Sequence, residues 1–248
     1  MFISPIGPTN NSRIAFAIDE KIASGRETTP DWTWRQITSN LNSPDLHLRC
    51  KAIETIAVRH LSMAIPNLIA ILQDNGDSII YRIAAAKALG DMKAQEAVPV
   101  LGSLLEKNDW SENRRYNYTL DGEIDFRSAV ITALENIPTK EATAVLFKFA
   151  TNKKPSFSYE RTRFKVTEAL IRKVINALSL GADVYKDLGK DVTEFALIKL
   201  SNPNHINLLA HLKKDQYSVE TLGEIAKKTE NKLAQDAAID LLVKLNKV

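Results

Sequence analysis

The sequence predicts an all-α fold of the solenoid class, an α-solenoid of about five helical hairpins, and three observations lead there. Residues 43–107 carry one pattern twice at a spacing of 33. Arg49 aligns with Arg82, Ala52 with Ala85, Ile56 with Leu89, Ala64 with Ala97, Pro66 with Pro99, Leu68 with Leu101 and Leu72 with Leu105. Within each copy the apolar residues fall three and four apart, the spacing of one helix face. A proline also stands near the start of each second helix, where a missing amide hydrogen costs little. Such a hairpin cannot bury its apolar face alone and must stack on copies of itself.

The elements follow in order. A polar leader over residues 1–12 precedes a single solenoid domain over 13–248. Ile14, Ala15, Ala17, Ile18 and Ile22, then Trp34, Ile37 and Leu41, predict two helices that form an N-terminal cap repeat over 13–42. The repeat 43–74 places Leu48, Ala52, Ile53 and Ile56 on one helix and Ile65, Leu68, Ile69 and Leu72 on the next. The repeat 75–107 does the same with Tyr81, Ala85, Ala86 and Leu89, then Val98, Leu101 and Leu105. Gly90-Asp91 is expected to stop the first of these helices. A repeat at 127–150 matches at a shift of 45, so an insert occupies 108–126, and a second insert spans 151–164. Irregular helical repeats over 165–230 and a capping helix at 231–248 complete the chain.

Composition narrows the function classes. With 44% apolar and 25% charged residues the chain is of ordinary globular type. No stretch approaches the roughly 18 apolar residues of a membrane helix. The first residues lack a basic segment followed by an apolar core, so a cytoplasmic location is expected. Cys50 is the only cysteine, which excludes an internal disulfide and a multi-cysteine metal site. A net charge of +3 is too mild to name a partner.

The run Ala84-Ala85-Ala86-Lys87-Ala88-Leu89-Gly90-Asp91-Met92 followed by Glu96-Ala97-Val98-Pro99-Val100-Leu101 resembles HEAT repeats of the short bacterial type found in phycobilisome lyases and in many unrelated proteins. The Thr-Pro-Leu-His opening of ankyrin repeats is absent from every unit. The resemblance implies a ladder between adjacent repeats, built from an acidic residue in the preceding turn and an arginine in the first helix. Asp45 with Arg49 and Asp77 with Arg82 match that pattern, and Asp125 with Arg127 match it at a shorter spacing. Members of the family include lyase subunits that handle an open-chain tetrapyrrole and adaptors, so the resemblance implies a fold and a mode of action rather than a reaction.

No catalytic or metal-binding constellation is visible, and no cofactor is expected. Cys50 and His47 share a helix face, but the repeat places them opposite Ile83 and Ile80, which predicts a packed thiol rather than a nucleophile. His205 and His211 are six apart and point away from each other on a helix. The first insert holds Trp110, Arg114, Arg115, Tyr116 and Tyr118, residue types that carry most binding energy at interfaces. Alternation around Asp121-Gly122 allows a small β-hairpin near residues 116–126, with Leu120 opposite Ile124 and Tyr118 opposite Phe126, the alternative being a mobile loop that spans two repeats. Eight basic residues against Glu160 and Glu168 give residues 148–173 a surplus of six positive charges. Within that stretch Arg161, Arg163 and Lys165 would complement an acidic surface.

These residues point to noncatalytic binding of another protein with an acidic surface or segment, as a scaffold, adaptor or assembly factor. A bilin lyase or chromophore chaperone is the first alternative, and nucleic-acid binding through residues 148–173 the second.

Overall fold

The computed structural model describes residues 30–106, 120–152, 157–180, 188–202, 204, 205, 208 and 216–247. Among them every regular element is helical. The fold is all-α and of the solenoid class. It divides into two compact units, one drawn from Met1–Val100 and Asp109–Ala133, the other from Leu101–Asn108 and Leu134–Val248.

In the first unit, α1 (Trp34–Leu41) opens on a capping box: the Thr33 hydroxyl accepts from the Gln36 amide, and the Gln36 carbonyl accepts from the Thr33 amide. Helix α2 (Leu46–Val58) begins at Asp45, whose carboxylate accepts from the amides of His47 and Leu48 at 2.8 and 3.0 Å. Helix α3 (Ile65–Gln73) carries Pro66 in its first turn. Helix α4 (Ile79–Asp91) is capped by Ser78 and packs on both α2 and α3. Ile53, Ile56, Leu68, Leu72, Ala85 and Leu89 form the core between these helices, each at most 1% exposed.

The stop after α2 and the stop after α4 are the same structure repeated. His60 and Lys93, 33 residues apart, both take positive φ, at 48° and 54°. Around them Leu61 N donates to Ile56 O and His60 N to Ala57 O, as Ala94 N donates to Leu89 O and Lys93 N to Gly90 O. This is the Schellman arrangement that satisfies the last carbonyls of a helix. Gly90 therefore does not stop α4 as the sequence suggested. It lies inside the helix, and a Cβ built on it would come within 2.7 Å of Ala133 Cα. Glycine is required there by close approach to the next hairpin, not by the helix end.

Helix α5 (Val98–Glu106) and helix α6 (Leu120–Asn136) each contribute residues to both units. The course of α6 overturns the β-hairpin expected near residues 116–126. Residues 120–126 continue the helix of the third repeat toward its N-terminus. Leu120 and Ile124 are four apart, so they fit a helix as well as a ribbon. Extending an existing helix adds a hydrogen bond per residue, whereas a lone two-stranded ribbon is marginal. The part of that expectation involving Tyr118 lies outside the described residues.

The second unit continues with α7 (Lys140–Thr151), capped by Thr139, and α8 (Phe157–Leu180), which buries Val166, Ala169, Leu170, Val174 and Leu178. The second interruption is thus shorter than expected, since α8 already begins at Phe157 rather than after residue 164. Helix α9 (Lys190–Leu200), α10 (Gln216–Lys228) and α11 (Lys232–Lys247) follow. The buried Glu194 of α9 accepts from Thr229 Oγ1 and from Asn231 Nδ2, which ties the α10–α11 turn to α9.

Candidate functional site

A ladder of arginines fixes the first unit. Arg49 on α2 donates to both carboxylate oxygens of Asp77, in the turn that leads to α4. Its guanidinium also lies 4.1 Å from the centroid of the Tyr81 ring. One repeat later, Arg82 on α4 lies 4.6 Å from the Phe126 ring centroid on α6. Arg82 is 3% exposed and donates through Nε to Leu72 O at 3.1 Å. Each arginine thus covers the aromatic residue that immediately precedes the next repeat's arginine. For the first rung the pairing differs from the one the resemblance implied: Asp45 caps α2, and the carboxylate that meets Arg49 comes from the following repeat. Phe126, which the sequence assigned to an insert, is fully buried beneath Arg82.

Cys50 is buried, and desolvation pushes its thiol up to about 11, against a smaller opposing effect from Arg49. A thiol held so is protonated at neutral pH and is a poor nucleophile. His47, whose counterpart Ile80 is buried, is exposed.

The structure places the sequence-predicted site residues unevenly. Trp110, Arg114, Arg115, Tyr116 and Tyr118 lie outside the described residues, and so does the side chain of Arg161. Arg163 sits on α8 and pairs with Glu160, one turn away. Lys165, two residues on, is half-buried.

Other members of the basic stretch are engaged inside the chain. Arg172 makes a two-point contact with Glu135 at 2.6 and 2.9 Å, and this hydrogen bonding holds it protonated. Lys173 Nζ donates to Glu135 O and Ile137 O, both at 2.8 Å, and so satisfies carbonyls at the end of α6. Burial draws the Lys173 ammonium down to about 8, although Glu135 opposes that shift. Lys148 pairs with Glu106 at 2.7 Å across an exposed edge.

Residues 35–120 match the family model described as HEAT repeats. Over that span the chain is built of HEAT-like repeats, and the span runs from α1 to the first residue of α6. No curated protein matches the chain. Among the described residues no helix is long and apolar enough to cross a membrane, and no group of three or more His, Cys, Asp or Glu is gathered as a metal would need.

Sequence reasoning weighed His205 only against His211 and passed over the contacts of one set of side chains. Phe147, Phe195, Lys199 and His205 lie in or beyond the third repeat, where repeat register fades, so alignment gave no means of pairing them. Phe147 on α7 meets Phe195 on α9 edge to face, with centroids 5.6 Å apart and planes at 83°. Lys199 Nζ lies 5.5 Å from the Phe195 centroid. His205 stacks on Phe164 of α8 at 4.8 Å and 20°.

Proposed function

We propose that the protein is a noncatalytic protein-binding scaffold, of adaptor or assembly-factor type, that acts through the surface of its HEAT-like repeats. The observation that carries this reading is the arginine ladder. Arg49 on Tyr81 and Arg82 on Phe126 commit one arginine at each of two successive junctions to the next repeat, which supports outer positions held in a fixed frame. Rigid elements with free outer faces are the surfaces that repeat proteins use for recognition. Trp110, Arg114, Arg115, Tyr116 and Tyr118 are proposed as anchors on residue type, and Arg161, Arg163 and Lys165 as charge that speeds encounter with an acidic partner. Nucleic-acid binding draws less support, because Arg172 and Lys173 serve the end of α6 instead of facing a phosphate backbone.

Affinity capture with the intact chain from cells of its source tests this reading. Retention of a defined protein in constant ratio, through washes at physiological salt, is the expected result. Retention of nucleic acid alone, released steeply by salt, would replace it with the nucleic-acid reading.

A further inference from the structure

Leu48 on α2 is left open at a position that the next two repeats close. By the repeat shifts of 33 and 45, it corresponds to Tyr81 on α4 and Phe126 on α6. Tyr81 is 7% exposed beneath Arg49 of the preceding repeat, and Phe126 is fully buried beneath Arg82, whereas Leu48 is 38% exposed. Two turns further along, the same register sets Thr55, Ala88 and Ala133 in line. Ala133 is the residue that a Cβ on Gly90 of α4 would meet. Both positions therefore face the first helix of the preceding repeat, and α2 keeps them apolar or small. A helix that ends a repeat stack turns a polar face outward. The flank of α2 is that of an inner helix, with room for another first helix beside it.

The chain carries a segment that fits this flank. Residues 1–29 precede the described ones, and among them Ile14, Ile18 and Ile22 recur at every fourth position, the spacing of one apolar helix stripe. Arg59, at the C-terminal end of α2, donates to Trp32 O at 2.7 Å, which fixes where the segment joins the first unit. Residues 23–31 can span about 30 Å when extended, and α2 is about 20 Å long, so the stripe can reach any point of the flank. A helix that ends beside Arg59 and runs alongside α2 sets Ile22 near Thr55 and Ile14 near Leu48, because both helices rise about 1.5 Å per residue.

We propose that residues 13–24 dock as a helix on this flank of α2, with Ile14 and Ile18 covering Leu48 and Ile22 beside Thr55. The tether favours this occupant over a second copy of the chain or a separate protein, since a short link holds the segment at an effective concentration on the order of millimolar. The N-terminal junction then closes by apolar contact instead of by an arginine on an aromatic ring. Leucine at position 48 suits that contact, as Tyr81 and Phe126 suit the arginines above them.

Disulfide trapping in the intact chain tests the proposal, with Cys50→Ser as background and Leu48→Cys as one arm. The second arm is Ile14→Cys or, as a control of nearly equal tether length, Phe16→Cys, which lies on the opposite side of the helix. Under oxidised glutathione the arm at position 14 is expected to form a bond within one chain at least roughly tenfold faster than the arm at 16. Ile18→Asp, which sets a charge in the stripe, should remove that difference. Hydrogen exchange of the otherwise unsubstituted chain gives a second reading: amides of residues 18–22 should exchange more slowly in the parent than in Ile14→Asp. Equal trapping at 14 and 16, an advantage that survives Ile18→Asp, or exchange unchanged by Ile14→Asp overturns the proposal. Bonds that form between chains instead of within one overturn it in favour of a second copy as the occupant.

Discussion

Arg49 and Asp77, 28 residues apart in sequence, meet across the junction of two successive repeats, with the Arg49 guanidinium over Tyr81. Their side chains are only 19% and 10% exposed, so removing one partner leaves the other charge largely out of water and is costly. Asp77→Ala should strand the Arg49 charge and destabilise the chain by about 2 to 3 kcal/mol in urea unfolding. Arg49→Met together with Asp77→Ala should recover part of that loss. Single variants within about 0.5 kcal/mol of the parent would show that the junction does not depend on this contact.

The close approach of Gly90 to Ala133 gives an opposite sign from helix propensity. Alanine in mid-helix is ordinarily better than glycine by roughly 1 kcal/mol. At position 90 the added Cβ meets the backbone of α6, so Gly90→Ala should lower stability by about 1 to 3 kcal/mol through overpacking. A gain in melting temperature would mean that α4 and α6 are farther apart than described.

Leu89 is fully buried, as are Ile56 and Leu134 at the corresponding positions of the neighbouring repeats. Leu89→Ala should cost roughly 2 to 5 kcal/mol in denaturant unfolding. A loss of the small size typical of exposed sites would place the repeat register in error.

Lys173 should leave a signature in the pH dependence of stability. Its pKa lies near 8 in the folded chain and near the ordinary 10.5 when unfolded. Between those values the unfolded state binds more protons, so this group makes the unfolding free energy rise with pH. Below about pH 8 both states are protonated and its contribution to the slope disappears. The difference between the parent and Lys173→Met, followed by urea unfolding across that window, isolates the group. Parallel curves for the two proteins would contradict the buried ammonium.

The repeat core was legible because packing imposes a strict spacing: Ile56, Leu89 and Leu134 can be matched by subtraction and are all at zero exposure. What spacing leaves open is which partner a polar or small residue meets. Asp45 and Asp77 look alike in sequence, yet one caps α2 and the other holds Arg49. Gly90 could mark a helix end or a close contact, and only the position of Ala133 decides between them. Alternation around Asp121-Gly122 suited a ribbon, but the same residues satisfy helical spacing and the adjoining helix claims them. The basic stretch was legible as charge, but not as charge used internally, because Glu135 lies 37 residues from Arg172.

The most direct test of the account is a calorimetric titration of the captured partner into the intact chain, with the intact mass of both proteins measured before and after. Noncatalytic scaffolding predicts one saturable isotherm with a fixed stoichiometry and unchanged masses. Trp110→Ala combined with Tyr118→Ala should weaken it by about 2 kcal/mol or more at an almost unchanged melting temperature. A mass change in the partner, or the lack of any saturable binding, would contradict the central claim.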